Sequence, residues 1–127
     1  MAQVFITDYI DNPNLEQGVL ADSVSIKSNV DAEVLLVWHQ HIDGQYLDQF
    51  PKLKGVVRYG VGFDKIDLEE IKSRGLVFCN TPDYGTDEVS DTALAMMLSL
   101  LRGVFAYNIL SKGYSNTWQE NTIEKLR

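Results

Sequence analysis

Short apolar runs separated by polar punctuation set the pattern of this chain. Val4-Phe5-Ile6, stopped by Thr7-Asp8, predicts a first strand. Asn12-Pro13-Asn14 predicts a turn, and Leu15 to Leu20 a helical turn or two. Val24-Ser25-Ile26 is read as a second strand. Val34-Leu35-Leu36-Val37-Trp38 is an unbroken apolar run, the pattern of a strand buried on both faces of a parallel sheet. Asp43 can cap a helix running to Phe50, with Pro51 as its stop. Val56-Val57 starts a further strand that ends in glycines. Asp67 with Glu70 three residues on resembles a capping box, and Gly75 suits the end of that helix. Leu76 to Cys79 is the next strand, closed by Asn80-Thr81-Pro82, and places Cys79 in a strand interior as an inert core thiol. Thr86 then opens a long helix through about Leu110. Short strands alternating with helices predict a parallel α/β sheet.

The long helix departs from an amphipathic pattern. Val89, Ala93, Met96, Met97, Leu100, Leu101 and Val104 form one broad apolar face, while Leu94, Ala95 and Leu98 make the other side apolar too. Such a helix needs cover nearly all round. One small sheet covers one side, so the pattern implies a second domain or a second subunit on the other; the alternative is a central core helix. Ser99, Arg102, Gly103 and Asn108 interrupt the stretch from Thr92 to Leu110, which favours a buried helix over a membrane span.

Composition narrows the class. The 127 residues are 45% apolar and 23% charged, a globular balance. Eleven Lys+Arg against eighteen Asp+Glu give a net charge of -7, which argues against nucleic acid as a partner. A single cysteine leaves no disulfide within the chain and suits a reducing compartment. Met1-Ala2-Gln3 has no basic start and Asp8 breaks the first apolar run, so no signal peptide is read. A soluble, cytoplasmic, acidic domain is the expectation.

Three places could carry chemistry. Arg58-Tyr59-Gly60-Val61-Gly62-Phe63-Asp64 follows a predicted strand, where open α/β sheets bind ligands. Its glycines allow a tight turn with free N–H groups, and Arg58 offers a fork for a carboxylate. From these residues alone the loop is either a small-anion site or a tight connection with Arg58 in solvent. It is not the dinucleotide fingerprint, because Lys65 stands where the third glycine belongs. No Walker sequence is present either. His39 and His41 follow the strongest strand and could act as acid, base or metal ligands. Without a third ligand nearby they are read as loop histidines. Asp8, Asp11 and Asp31 suggest a phospho-acceptor cluster, but no lysine-bearing strand end accompanies them.

The run Pro51 to Asp67, with Arg58-Tyr59-Gly60-Val61-Gly62-Phe63-Asp64 at its centre, followed by Arg74 to Ala95 with Asn80-Thr81-Pro82, resembles the D-isomer-specific 2-hydroxyacid dehydrogenases. Phosphoglycerate dehydrogenase, glyoxylate/hydroxypyruvate reductase and the C-terminal-binding-protein corepressors belong to that family. The likeness runs from about Val34 to Trp118. It implies a flavodoxin-like substrate domain, here residues 1–82, then an interdomain and dimerisation helix with a linker, residues 83–127, toward a Rossmann domain that these residues do not include. It also implies interconversion of 2-hydroxy and 2-keto acids with NAD or NADP. By the same resemblance Val61 and Gly62 hold the substrate carboxylate with backbone N–H groups, and Arg58 faces substrate. Trp38 and His39 line the cleft, and Thr81 lies near the cofactor. The helix over 86–110 makes a homodimer.

The family's catalytic histidine, its glutamate partner and a second arginine are not matched in these residues, so no catalytic or metal residue is assigned. Lys65 replaces a common asparagine. The interval from Ile26 to Val34 leaves no room for the helix usual there. The chain therefore reads as the N-terminal part of such a dehydrogenase, inactive alone and binding no cofactor by itself. The alternative is a non-enzymatic dimerising or binding module, an orphan half or a corepressor-like scaffold.

Overall fold

A computed structural model describes residues 2–113. The chain divides into two compact units, 1–84 and 85–127.

The first unit is a five-stranded sheet, parallel throughout. Its strands are β1 (Val4–Ile6), β2 (Val24–Ser25), β3 (Val34–Val37), β4 (Gly55–Arg58) and β5 (Val77–Cys79), in the spatial order β2-β1-β3-β4-β5. Val4 pairs with both Val24 and Val34, and Val37 with Arg58. The connections carry α1 (Asn14–Leu20), α2 (Gly44–Leu47) and α3 (Leu68–Ser73). A 3₁₀ turn over Ala21–Ser23 leads from α1 into β2.

Alternation along the strands divides the core in two. Phe5, Leu35, Val37 and Val56 point to one face, where Leu47, Phe50 and Ile71 meet them. Val4, Ile6, Val24 and Leu36 point to the other, with Leu20 and Tyr59 packed on them. Burying side chains of this kind stabilises by roughly 1.5–3 kcal/mol each. No helix joins β2 to β3, as the short interval predicts, so the second face has a single covering helix. Val77 and Cys79 on edge strand β5 are correspondingly exposed. Cys79 is thus not the core thiol expected from its strand: an edge strand buries only what a neighbouring layer covers, and among the described residues Cys79 is exposed.

The helix ends correct two further expectations. Asp67 caps α3 by accepting from the backbone N–H groups of Glu69 and Glu70 at 3.0 Å, and Gly75 turns the chain at φ +66°. The Glu70 carboxylate, however, bonds Arg74 Nε at 3.0 Å instead of closing a capping box. An i,i+4 guanidinium competes successfully for it. Asp43 caps α2 as predicted, accepting from Tyr46 N–H at 2.8 Å, but the helix ends at Leu47, short of Phe50.

The second unit holds α4 (Thr86–Leu101) and α5 (Val104–Ser111). The single helix expected through Leu110 is broken, with a bend of 60°. Gly103 adopts φ +62°, the left-handed conformation that ends helices, and Arg102 caps the first piece. Neither helix has a buried residue. No single helix among the described residues is long and apolar enough to cross a membrane, although the bent pair meets that test together. Residues 114–127, including Trp118 and the rest of the expected linker, lie outside the described residues.

Candidate functional site at the carboxyl edge of the sheet

In the order β2-β1-β3-β4-β5 the chain reverses direction between β1 and β3. Crevices at such switch points, beyond the carboxyl ends of the strands, are where open α/β sheets bind ligands. The segments after β1, β3, β4 and β5 meet there.

After β4 the backbone turns sharply. Gly60 N–H donates to the Arg58 carbonyl at 3.0 Å, and Gly60 itself sits at φ +152°. The Arg58 guanidinium folds over this glycine and donates through Nη1 to the Tyr59 carbonyl. A Cβ at position 60 would strike the guanidinium. Glycine is favoured here by its conformation, while the flexible guanidinium would have to move aside for any side chain.

The end of β5 braces the turn. Thr81 N–H donates to the Gly60 carbonyl at 3.2 Å, and Asn80 Nδ2 to the Val61 carbonyl at 2.9 Å. With its carbonyls engaged, the turn leaves the N–H groups of Val61 and Gly62 without an acceptor among the described residues. Val61 is half exposed. These two N–H groups stand in the same turn as the Arg58 guanidinium, which has no carboxylate partner among the described residues.

After β3 the chain carries Trp38 and His39 to the same edge. The Trp38 ring meets Tyr59 edge-on at 5.9 Å, and His39 meets Tyr9 at 4.8 Å. Tyr59 points to the second sheet face, where its hydroxyl donates to Glu16 Oε1 at 3.3 Å. Burial, the Glu16 charge and that hydrogen bond push its phenol up to about 12, so it stays protonated. The Asp8 carboxylate bridges the switch point. It accepts from Trp38 N–H at 3.0 Å, His39 N–H at 2.6 Å and the Thr7 hydroxyl at 2.6 Å. Burial raises its pKa, but these hydrogen bonds and one from the Gln40 backbone outweigh it and hold the carboxyl below its ordinary value. Below this layer Ile42 and Ile66, both buried, pair in a parallel bridge that ties the loop after β3 to the loop after β4.

The structure thus brings Arg58, Val61, Gly62, Trp38, His39 and Thr81 to one strand edge. His41 goes elsewhere, with Nε2 3.9 Å from Asp43 Oδ2. Among the described residues no group of three His, Cys, Asp or Glu side chains is placed to hold a metal. Asp8 belongs to no phospho-acceptor cluster; its oxygens are taken up by the loop after β3. Sequence reasoning missed the parts played by Asp8, Tyr9 and Asn80. The signal available was the polar pair directly after β1, Thr7-Asp8, and after β5, Asn80-Thr81, which marks the binding edge but not the partner.

Among the described residues, neither helix that follows the glycine turn or β5 offers a phosphate an N-terminus free of acidic side chains. The helix after the glycine turn begins only at Leu68, and the Asp67 carboxylate already fills its N-terminus. The first turn of α4 carries Asp87 and Glu88. Negative charge at a helix N-terminus takes the place a phosphate would occupy.

The strand order and its carboxyl-edge site define the flavodoxin-like class of α/β domain. Residues 6–126 match the D-isomer specific 2-hydroxyacid dehydrogenase catalytic domain, and the chain belongs to that family. Glyoxylate reductase of Thermococcus litoralis is 36% identical over 107 residues, covering 84% of this chain and 30% of the relative. Hydroxyphenylpyruvate reductase of Plectranthus scutellarioides is 40% identical over 62 residues, covering 49% of this chain and 20% of the relative. Among solved structures, the NADPH-dependent glyoxylate/hydroxypyruvate reductase of Sinorhizobium meliloti in complex with citrate superimposes with a TM-score of 0.71 at 28% identity. That match covers 88% of this chain and 38% of that one. D-lactate dehydrogenase of Aquifex aeolicus, complexed with NAD and lactic acid, shares the fold with a TM-score of 0.76 at 24% identity, over 92% of this chain and 40% of that one. The chain therefore spans well under half the length of these proteins.

Proposed function

We propose that this chain is the substrate-binding part of an NAD(P)-dependent D-2-hydroxyacid dehydrogenase, acting on a small 2-keto or 2-hydroxy acid in the cytoplasm. The observation that carries the reading is the pair of free N–H groups at Val61 and Gly62 beside Arg58. In this reading they take the substrate carboxylate, with Trp38 and His39 lining the side-chain end of the cleft. Thr81, braced against Gly60, lies toward the cofactor. The cofactor supplies the hydride, and residues outside this chain hold it, since Asp67 fills the N-terminus of α3 and Asp87 and Glu88 make the first turn of α4 acidic. Residues 1–82 serve as substrate domain and 83–127 as interdomain helix and linker. The proton-transfer histidine also comes from outside, so the chain alone is inactive.

The test is Arg58→Ala in a protein that carries this chain together with a nucleotide-binding domain. The expected loss is roughly 1.5–3 kcal/mol in keto-acid binding, the worth of a hydrogen bond to a charged group, with cofactor affinity unchanged. Unaltered KM and kcat/KM for glyoxylate, pyruvate and hydroxypyruvate would reduce Arg58 to a surface arginine.

One observation favours a second reading, a dimerising module without activity of its own. Met96, Met97, Leu98, Leu100 and Leu101 are all at least half exposed. A two-fold dimer through α4 covers such a face, and it is compatible with the enzyme reading as well.

A further inference from the structure

We propose that Asp8 is the positioning residue of this site: its carboxylate fixes the Trp38–His39 backbone and, through it, the aromatic wall beside the glycine turn. The inference rests on the carboxylate-site reading above. Asp8 stands at the end of β1 and reaches across the switch point, holding Trp38 N–H through Oδ1 and His39 N–H through Oδ2. Both oxygens are therefore committed to the segment after β3. Thr7 anchors the carboxylate from its own strand, and its backbone N–H donates to the Leu36 carbonyl at 3.0 Å.

The residue after Asp8 shows that this arrangement is imposed. Tyr9 adopts φ +65°, and Ile10 N–H closes a three-residue turn onto the Asp8 carbonyl at 2.9 Å. A tyrosine in that conformation is strained, and such strain persists only where surroundings over-determine it. The turn sets the Tyr9 ring against His39. From Trp38 the path continues through its ring to Tyr59, whose N–H bonds the Val37 carbonyl at 2.8 Å and which leads directly into Gly60-Val61-Gly62. Asp8 touches neither Val61 nor Gly62; it acts on them through Trp38 and Tyr59.

Bulk electrostatics and a positioning role act in opposite directions here. Asp8 is a negative charge at the same strand edge as the proposed anion receptor. Removing it by Asp8→Asn lowers Coulomb repulsion and, by that effect alone, strengthens anion binding. A positioning role predicts the opposite, weaker binding, because the wall that supports the turn is released.

The experiment uses the 127-residue chain, with Asp8→Asn and Asp8→Ala variants, and reads amide hydrogen exchange by NMR together with a titration by pyruvate. In Asp8→Ala the Trp38 and His39 amides should exchange faster by about tenfold or more, the scale of losing a hydrogen bond to a charged acceptor. Asp8→Asn, which keeps one acceptor oxygen, should protect only one of the two. The Leu35 and Val37 amides inside β3 serve as the control and should not change. Pyruvate shifts at the Val61 and Gly62 amides should need a higher concentration in both variants. Unchanged exchange at Trp38 and His39, or tighter pyruvate binding by Asp8→Asn, would overturn the proposal. If the unmodified chain shows no pyruvate shift at Val61 and Gly62, the carboxylate reading fails, while the exchange data still decide whether Asp8 holds the wall.

Discussion

Strand β3 and helix α4 are both strongly apolar, yet they end in opposite environments. Leu35 and Val37 on β3 are wholly buried, whereas Leu98 on α4 is 55% exposed and Leu100 79% exposed. The difference is one of neighbours. A central strand is hydrogen-bonded on both sides, and its alternating side chains meet α2 and α3 on one face and α1 on the other. A helix satisfies its own backbone and can form without any such neighbours. Apolar composition therefore states that a segment needs cover; only in the sheet do the described residues supply it.

The largest effect that would test this contrast is a pair of truncations. Leu35→Ala should destabilise the first unit by about 3 kcal/mol or more, since it removes a fully buried leucine from a packed layer. At a concentration low enough to dissociate a dimer through α4, Leu98→Ala should stay within about 0.5 kcal/mol, as surface changes do. Urea unfolding of both variants under that condition checks the ratio; similar losses would mean that α4 is packed within the single chain. The next test addresses what covers the helix. Light scattering at micromolar concentration should report a dimer or larger, and Leu98→Glu or Leu101→Glu should give monomer or precipitate. A soluble monomer of the unmodified chain would sink the assignment of α4 as an interface.

A smaller contrast lies in the helix ends. Asp67 caps α3 through two hydrogen bonds, while α4 starts after Gly85 with no side-chain cap. Asp67→Ala should therefore cost about 1 kcal/mol, and Thr86→Ala close to nothing, both read from thermal or urea midpoints. The smallest effect is on acid stability. Asp8 is held below its ordinary 3.8, and the hydrogen bond from Lys54 holds Glu33 below its ordinary 4.5. A carboxylate whose folded pKa is depressed stabilises the fold above its unfolded value, and loses that contribution as pH falls through the folded value. Acid should thus weaken the sheet unit progressively below about pH 4, and Asp8→Asn should flatten that slope. A steeper slope in the variant would contradict the hydrogen bonds assigned to Asp8.

Much of the sheet was readable because its signals are local. The run from Val34 to Val37, the caps at Asp43 and Asp67, and the stop at Gly75 each depend on residues within one turn or one strand. The break at Gly103 was half legible: glycine was visible as an interruption, but a left-handed glycine that ends one helix and begins another looks the same in sequence as one tolerated inside a helix. Cys79 failed because burial of an edge strand depends on a layer that strand's own sequence does not encode. The glycine turn and Arg58 were found by type and spacing. That the guanidinium lies over Gly60, and that Asn80 and Thr81 brace the turn, depends on β5 lying beside β4.

The sequence by itself determined the strands, most helix boundaries, the family and the position of the glycine turn after β4. Those follow from periodicity, capping and a motif, each a property of neighbouring residues. The tertiary structure decided which apolar surfaces are covered and what Asp8 does. Its two hydrogen bonds span 30 and 31 residues of chain, and they exist only because the sheet places the ends of β1 and β3 side by side. A carboxylate's partner is set by what stands within hydrogen-bonding distance in space, and for residues so far apart that distance is fixed only by the assembled sheet.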